Sequence, residues 1–206
     1  MTSQAVTFFG LSLLLAFAPG PDNLFVLMQS ALYGRKAGMC VVLGLCTGLV
    51  VHTTAIALGL AAVFAASATA FAVLKFAGAA YLAYLAWQAF RLHAGTAASP
   101  EVKALSPKRM YTRGILMNLT NPKVVLFFLA FLPQFVRPEN GRVGLQVIGL
   151  GILFILATII AFGIITCFAA AIGAMLRRST HAQRALNWLA GAVFLGLAIR
   201  LALAAR

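Results

Sequence analysis

Long apolar stretches recur along the chain, and this feature limits its fold more than any other. Each is long enough to cross a membrane, for which about 20 residues suffice. The six stretches are residues 5–32, 39–66, 70–90, 115–136, 145–176 and 186–203. Backbone in lipid must satisfy its own hydrogen bonds, so each stretch is predicted to be a helix. The sequence therefore predicts an all-α integral membrane protein, with six spans and a single domain over residues 1–206.

The composition leaves no room for a soluble catalytic domain. Only 9% of the residues are charged and 63% are apolar, whereas soluble domains have about 25% charged residues. The chain has no HExxH, GxSxG or paired carboxylates within the spans, and no Walker motif of the form GxxxxGK[ST]. These absences argue against an enzyme and an ATP-driven pump, and we predict neither a cofactor nor a metal site.

The basic residues predict an orientation rather than a nucleic-acid partner. The net charge is +13, but a nucleic-acid surface needs its basic residues on one solvated face, and here they mark connections between spans. Ten lie in the first, third and fifth connections and four on the opposite side. The positive-inside rule then places both termini away from the cytoplasm. A five-span alternative, with the N-terminus inside, follows if the first segment is a re-entrant hairpin.

The two halves of the chain share sequence features in the same order. Polar residues 93–112, a predicted cytoplasmic linker, separate repeat 1 (1–92) from repeat 2 (113–206), and Pro100 and Pro107 are predicted to break any helix there. Pro21 precedes a charge, and 101 positions later so does Pro122. The segment FAGAAYLAYLAW (76–87) also aligns with LAGAVFLGLAIR (189–200). A unit of three spans ends on the opposite side from its start, which predicts two inverted three-helix repeats. The alternative is that helices rich in small residues look alike by composition.

Prolines interrupt the first and fourth spans. Pro19, Gly20 and Pro21 break the first, and Pro122 in NLTNPK breaks the fourth, because proline lacks an amide donor and clashes with the preceding turn. Half-helices that start there expose amide donors with a partial positive charge, which suits a carboxylate. The carbonyl ends of the preceding half-helices, together with Asp22, suit an ammonium group. The predicted ligand is an α-amino acid.

Charged and amide side chains at the breaks are the candidate site residues. A charge at the centre of a span costs about 2.5 to 3.5 kcal/mol, so Asp22 and Lys123 require a role. Either they form a structural ion pair, or they bind substrate, with Asp22 also carrying protons. His52 is a second candidate for proton coupling, or else a satisfied core histidine. Three amides are predicted either to bind substrate or to cap the half-helices: Asn23, Asn118 and Asn121.

The motifs PGPDN, GRKAG, GLCTGLVVH and NLTNPKVVLFFLAFLPQF resemble the LysE superfamily of amino-acid exporters, in its RhtB-type branch. The resemblance implies a bacterial inner-membrane secondary exporter of homoserine, threonine or related neutral compounds, working by proton exchange. The implied partners are the amino acid, protons and the lipid bilayer, and both termini would be periplasmic. Homo-oligomer formation is left open.

Lysine and arginine exporters of the superfamily are expected to carry an acid near the position of Gly48, and this chain has none there. That difference favours a neutral amino acid or its lactone. The alternative is a cationic amino-acid exporter or a metal-ion exporter. Cys40, Cys46 and His52 recur at six-residue steps, but this spacing rotates them off a common helix face.

Overall fold

The structure, a computed structural model, describes residues 2–66, 68–91 and 106–203. These ranges are helical nearly throughout and contain no strand, which confirms the predicted all-α class. The helices are α1 (Thr2–Phe17), α2 (Pro21–Tyr33), α3 (Arg35–Ala66), α4 (Ala68–Arg91), α5 (Pro107–Thr120), α6 (Pro122–Leu126), α7 (Val143–Arg178) and α8 (Thr180–Leu203). After α6 the chain continues through a π-helical turn, Phe127–Phe131, and a 3₁₀ turn, Leu132–Phe135.

Both predicted helix breaks are present. The axes of α1 and α2 differ by 63°, and those of α5 and the segment after Pro122 differ by 50°. Pro21 and Pro122 each take the first position of the new helix, where a missing amide hydrogen costs nothing because that donor has no partner within the helix. The prolines therefore start the second half-helices, and the chain turns sharply before each of them.

The described helices provide between three and five candidate membrane spans. In the described residues, α3, α7 and α8 are each long and apolar enough to cross a membrane, and counting each bent pair as one span gives up to five. Helix α4 has 24 residues. Several of its side chains, including Lys75, which the sequence predicts to reach the headgroups, lie outside the described part. Six spans and the five-span alternative both stay predictions.

The linker is shorter than predicted at its C-terminal end. Residues 92–105 lie outside the described part of the chain, but α5 begins at Pro107 instead of after residue 112. Ser106 is the N-cap residue, and its side chain accepts a hydrogen bond from Arg109 N at 3.4 Å. A capping serine followed by proline is a strong helix start. Pro107, which was expected to break a helix, therefore begins one.

The helices of the two halves pack reciprocally. Helix α3 packs on α7, and α4 packs on α8. In addition, α5 of the second half packs on α3 of the first, while α1 and α2 of the first half pack on α7 of the second. Each long helix thus contacts its predicted counterpart and the broken span of the other half. This is the pattern expected of inverted repeats, which remain a prediction.

Two glycines bring α3 and α5 into backbone contact. A Cβ atom on Gly44 would clash with the carbonyl oxygen of Tyr111, and one on Gly114 would clash with that of Val41. One turn further along α3, a Cβ on Gly48 would lie 2.6 Å from Oδ1 of Asn118. Small residues let membrane helices approach this closely. The contact holds the end of α5, and so the second break, against α3.

An aromatic cluster covers one side of the second break. Phe127 lies in the π-helical turn and stacks on Phe131, with ring centroids 4.9 Å apart. Its ring also contacts Phe8 of α1 at 5.7 Å and Phe154 of α7 at 4.9 Å. Irregular backbone within a membrane is tolerated where protein covers it. These rings provide that cover and leave the polar groups of the break on the side facing α2.

Candidate substrate site

The carboxylate of Asp22 links the two broken spans. Asp22 lies in the first turn of α2, and its side chain is only 2% exposed. Its Oδ2 atom accepts a hydrogen bond of 2.8 Å from Nδ2 of Asn121, the residue just before Pro122. Its other oxygen, Oδ1, is buried and has no hydrogen-bond partner in the part of the chain that the structure describes. One oxygen therefore joins the two halves, and the other is available to a ligand.

The nitrogen and the oxygen of the Asn121 side-chain amide each form a hydrogen bond. While Nδ2 binds Asp22, Oδ1 accepts a hydrogen bond of 3.0 Å from the backbone N–H of Lys123 and so caps α6. Of the two roles open for this residue from the sequence, the structure shows capping, combined with a link to the acid of the other half. Asn121 therefore orients the carboxylate of Asp22.

The ammonium group of Lys123 binds the carbonyl end of α1. Its Nζ atom donates to Ala18 O at 3.0 Å and to Leu15 O at 3.3 Å. The last carbonyl groups of a helix have no partner within the helix and carry a partial negative charge, which favours a cation there. The hydrogen bonds of Lys123 thus go to carbonyl groups and not to the Asp22 carboxylate. The site that the sequence assigned to a substrate ammonium is taken by a side chain.

Asn23 and Gly20 complete the surroundings of this ammonium group. Asn23 donates from Nδ2 to Ala16 O at 2.7 Å, and its Oδ1 accepts from Lys123 Nζ at 3.4 Å. A Cβ on Gly20 would lie 3.2 Å from Nζ, so a side chain there would crowd the ammonium. Asn23 therefore binds the carbonyl end of α1, and its role in substrate binding or capping stays a prediction.

A small cavity lies beside these groups. Its volume is about 20 Å³, which is room for a water molecule but not for an amino acid. The residues that line it come from α1, α2, α3, α5, α6 and α7: Leu15, Ala16, Asp22, Leu45, Asn118, Lys123, Val124, Phe154, Thr158 and Phe162. Like Asp22, Asn118 has a buried Oδ1 atom that forms no hydrogen bond with the described residues. The cavity thus combines two free acceptors with one ammonium group.

Helix α7 supplies cavity residues that sequence reasoning missed. Thr158 is buried and lines the cavity between Phe154 and Phe162, each one helical turn away on the same face. Between Val143 and Leu176, the sequence of α7 is almost uniformly apolar and has no proline or charge to draw attention to one position. Thr158 is the one polar residue among the three α7 residues that line the cavity. Its hydroxyl is therefore the sequence feature that could have identified this face.

His52 lies beside the second break. Its Nε2 atom is 3.4 Å from the carbonyl oxygen of Asn118, and its ring packs 5.4 Å from that of Phe128. The structure therefore brings His52 next to a cavity residue, although its own side chain does not line the cavity. This position is compatible with a proton relay and with a structural bond to the end of α5.

The metal alternative gains no support from the described residues. Within them, no three side chains among His, Cys, Asp and Glu lie close enough together to hold a metal ion. Cys40 and Cys46 are half-buried free cysteines on α3. The arrangement at the breaks consists of carboxylate, amide and ammonium groups, which suit a ligand that carries both charges.

A family described as LysE type translocator matches residues 13–205 of the chain. The chain belongs to this family. LysE type translocators are transporters, so the protein is a membrane transporter and not an enzyme. The resemblance carried by the sequence motifs is thereby confirmed. No solved structure matches the chain.

Relatives of this LysE-type protein include named efflux proteins. The homoserine/homoserine lactone efflux protein of Salmonella typhimurium is 32% identical over 184 residues, covering 89% of this chain and 88% of the relative. The threonine efflux protein of Escherichia coli is 29% identical over 191 residues, covering 89% of this chain and 90% of the relative. The family match over residues 13–205 includes both helix breaks and the site between them.

Proposed function

We propose that this protein is a secondary active transporter that exports small neutral amino acids or their derivatives, of the homoserine and threonine kind, across the bacterial inner membrane. Export is coupled to proton entry, and the site faces the two sides of the membrane alternately. The observation that carries the proposal is one cavity, between two broken helices, lined by the buried carboxylate of Asp22, the amide of Asn118 and the ammonium of Lys123. The efflux relatives support the same substrate class.

The site groups match the two charges of an α-amino acid. The free Oδ1 atoms of Asp22 and Asn118 are acceptors for the substrate ammonium. The ammonium of Lys123 and the amide donors at the start of α2 suit its carboxylate. Since neutral amino acids carry no further charge, the single carboxylate of Asp22 is sufficient. A cationic substrate would need a second acid, and Gly48, which packs against Asn118, supplies none.

Proton coupling follows because a proton and the substrate ammonium group compete for the carboxylate of Asp22. A carboxylate that has bound a proton loses the charge that attracts an ammonium group. The carboxylate of Asp22 therefore binds either a proton or the substrate ammonium group at one time. Each crossing of the site by a substrate in one direction is then matched by a proton in the other. In this proposal His52, which is bonded to the carbonyl group of Asn118, passes protons between this site and the aqueous side.

Opening of the site requires the half-helices to move, because the cavity is smaller than an amino acid. The backbone between α1 and α2 and between α5 and α6 is not continuous helix, so these two breaks are the natural hinges. In transporters built from inverted repeats, the movement of one repeat against the other exposes the site to each side in turn. The reciprocal packing of the two halves supports this mechanism here.

Transport by purified protein in liposomes tests the proposal. We expect an acid-inside pH gradient to drive uptake of radiolabelled threonine or homoserine, because outward proton flow then powers inward amino-acid flow. Reversing the gradient or adding a protonophore should abolish the accumulation, and protein-free liposomes are the control. Uptake indifferent to the gradient would argue against antiport. Uptake of lysine or zinc instead would favour the cationic or metal-ion alternative.

We also propose that both termini are periplasmic, on the basis of the loop charges. Single cysteines placed at Ser3, Lys36 and Asn140 in a variant without native cysteines test this in intact cells. A membrane-impermeant thiol reagent should label Ser3→Cys and Asn140→Cys but not Lys36→Cys. Labelling of Asn140→Cys without Ser3→Cys would instead indicate the five-span arrangement, and labelling of Lys36→Cys alone would reverse the orientation.

A further inference from the structure

A second set of buried polar side chains lies further along α2, away from the cavity. Gln29 is 0% exposed, and neither its Nε2 nor its Oε1 atom has a hydrogen-bond partner among the residues that the structure describes. Thr166 of α7 is 2% exposed, and its Oγ1 atom has no hydrogen-bond partner within the described ranges either. Buried polar groups are nearly always paired. Three unpaired atoms on two neighbouring helices therefore require an explanation.

Thr166 and Ser30, the residue next to Gln29, lie where α2, α3 and α7 meet. A Cβ on Gly38, in the first turn of α3, would lie 3.0 Å from Cγ2 of Thr166 and would clash with Oγ of Ser30. Ser30 directly follows Gln29, and its hydroxyl donates to Val26 O at 2.6 Å. Gly38 thus leaves the space in which polar groups of α2 and α7 approach each other.

The second set is aligned with the cavity. Gln29 follows Asp22 by seven residues, two helical turns or about 10 Å along the same face of α2. Thr166 follows Thr158 of α7 by eight residues, about 12 Å. Asp22 and Thr158 line the cavity, and Ser30 and Thr166 meet at Gly38. The interface of α2 and α7 therefore has two polar levels.

Apolar side chains separate the two levels. Val26 is fully buried midway between Asp22 and Gln29, and Phe162 is buried midway between Thr158 and Thr166. Phe162 also lines the cavity. The second level lies nearer the turn at Gly34, the side with Arg35 and Lys36, which the proposed orientation places at the cytoplasm. A substrate moving from that side would meet Gln29 before Asp22.

We propose that Gln29 and Thr166 form a second subsite for a small neutral amino acid, on the path from the cytoplasmic turn at Gly34 to the Asp22 cavity. The amide of Gln29 offers an acceptor for an ammonium group and donors for a carboxylate, and the hydroxyl of Thr166 offers a further partner for either. Val26 and Phe162 form the barrier between this subsite and the cavity. The inference rests on the proposed function.

Apolar replacements of similar shape test the subsite. If the two groups are only buried polar atoms, Gln29→Met and Thr166→Val leave transport unchanged, and stability stays the same or rises. We expect the melting temperature to hold or rise, but the initial rate of gradient-driven threonine uptake at low threonine to fall about tenfold, as for the loss of about 1.4 kcal/mol of binding. Thr166→Ser, which keeps the hydroxyl, should restore most of the rate.

Matched controls are Gln88→Met and Thr54→Val, which change exposed side chains of the same types on α4 and α3. Combining Gln29→Met with Thr166→Val should cost less than the product of the two single losses, because the residues act at one subsite. Rates equal to those of the controls would overturn the subsite. The proposed function would survive that result if Asp22→Asn is inactive in the same liposomes. Absence of any transport by the unaltered protein would overturn both.

Discussion

The Asp22→Asn variant is expected to fold and reach the membrane, yet to transport threonine or homoserine about 10- to 100-fold more slowly, since a hydrogen bond to a charged group contributes about 1.5 to 3 kcal/mol. Asparagine has nearly the shape of aspartate, and its oxygen can still accept the hydrogen bond from Asn121 Nδ2. It cannot bind a proton or attract an ammonium group through charge. Initial rates of gradient-driven uptake, normalised to the amount of protein in the liposomes, measure the effect.

The matched control for this change is Glu139→Gln. Glu139 is an exposed acid in the short 3₁₀ turn between the second broken span and α7, so its replacement removes the same charge away from the site. We expect its transport rate to be normal. A normal rate for Asp22→Asn as well would remove Asp22 from both substrate binding and proton coupling.

Replacing Lys123 by methionine is expected to have the second large effect. Methionine retains an unbranched apolar stem but removes the ammonium group that binds Leu15 O and Ala18 O. The end of α1 and the substrate carboxylate both lose their cation, so we expect transport to fall about 10- to 100-fold. The amount of folded protein should also fall, because the lysine joins the two halves. The same uptake assay and a thermal melting curve measure both effects.

Two further variants show what Lys123 contributes. Lys108→Met, on the exposed first turn of α5, is the matched control and should transport normally. Lys123→Arg keeps the charge, but its planar guanidinium must fit where a Cβ on Gly20 would already lie 3.2 Å from Nζ, so only partial activity is expected. Full transport activity in Lys123→Met would show that transport does not require the ammonium group of this residue.

The double variant Asp22→Asn with Lys123→Met separates the two interpretations left open by the sequence. If the charges serve only each other, removing both should restore transport that either single change loses. If they serve the substrate, the double variant should be at least as inactive as the worse single variant. Restored transport in the double variant would favour the structural ion pair.

The sequence predicted the breaks and the polar residues at them because both stand out against an apolar background. Pro21 and Pro122 cannot continue a helix, and Asp22 and Lys123 are costly in lipid. Those physical penalties act locally, so they can be recognised without knowing the fold. The same reasoning placed Asn23 and Asn121 at helix ends, where the structure shows them bonded to backbone groups.

The partners of these residues could not be predicted in the same way. Lys123 reaches Ala18 O only because α1 ends at Phe17 and α2 leaves at an angle of 63°, and no local pattern fixes that angle. Thr158 and Thr166 lie in a long apolar helix, whose inward face depends on how it packs. For Pro107 the local pattern predicted a helix break, but this proline begins α5. Its role depends on Ser106, which caps that helix.

The hydrogen bonds across the breaks show that the site needs both halves of the chain. The first half of the chain contributes an acid and a row of carbonyl groups, and the second contributes an amide and an ammonium group that satisfy them. Either half alone would carry its buried charge into lipid without a counterpart. Two copies of the same half would not supply the missing groups, so a complete site needs one copy of each half.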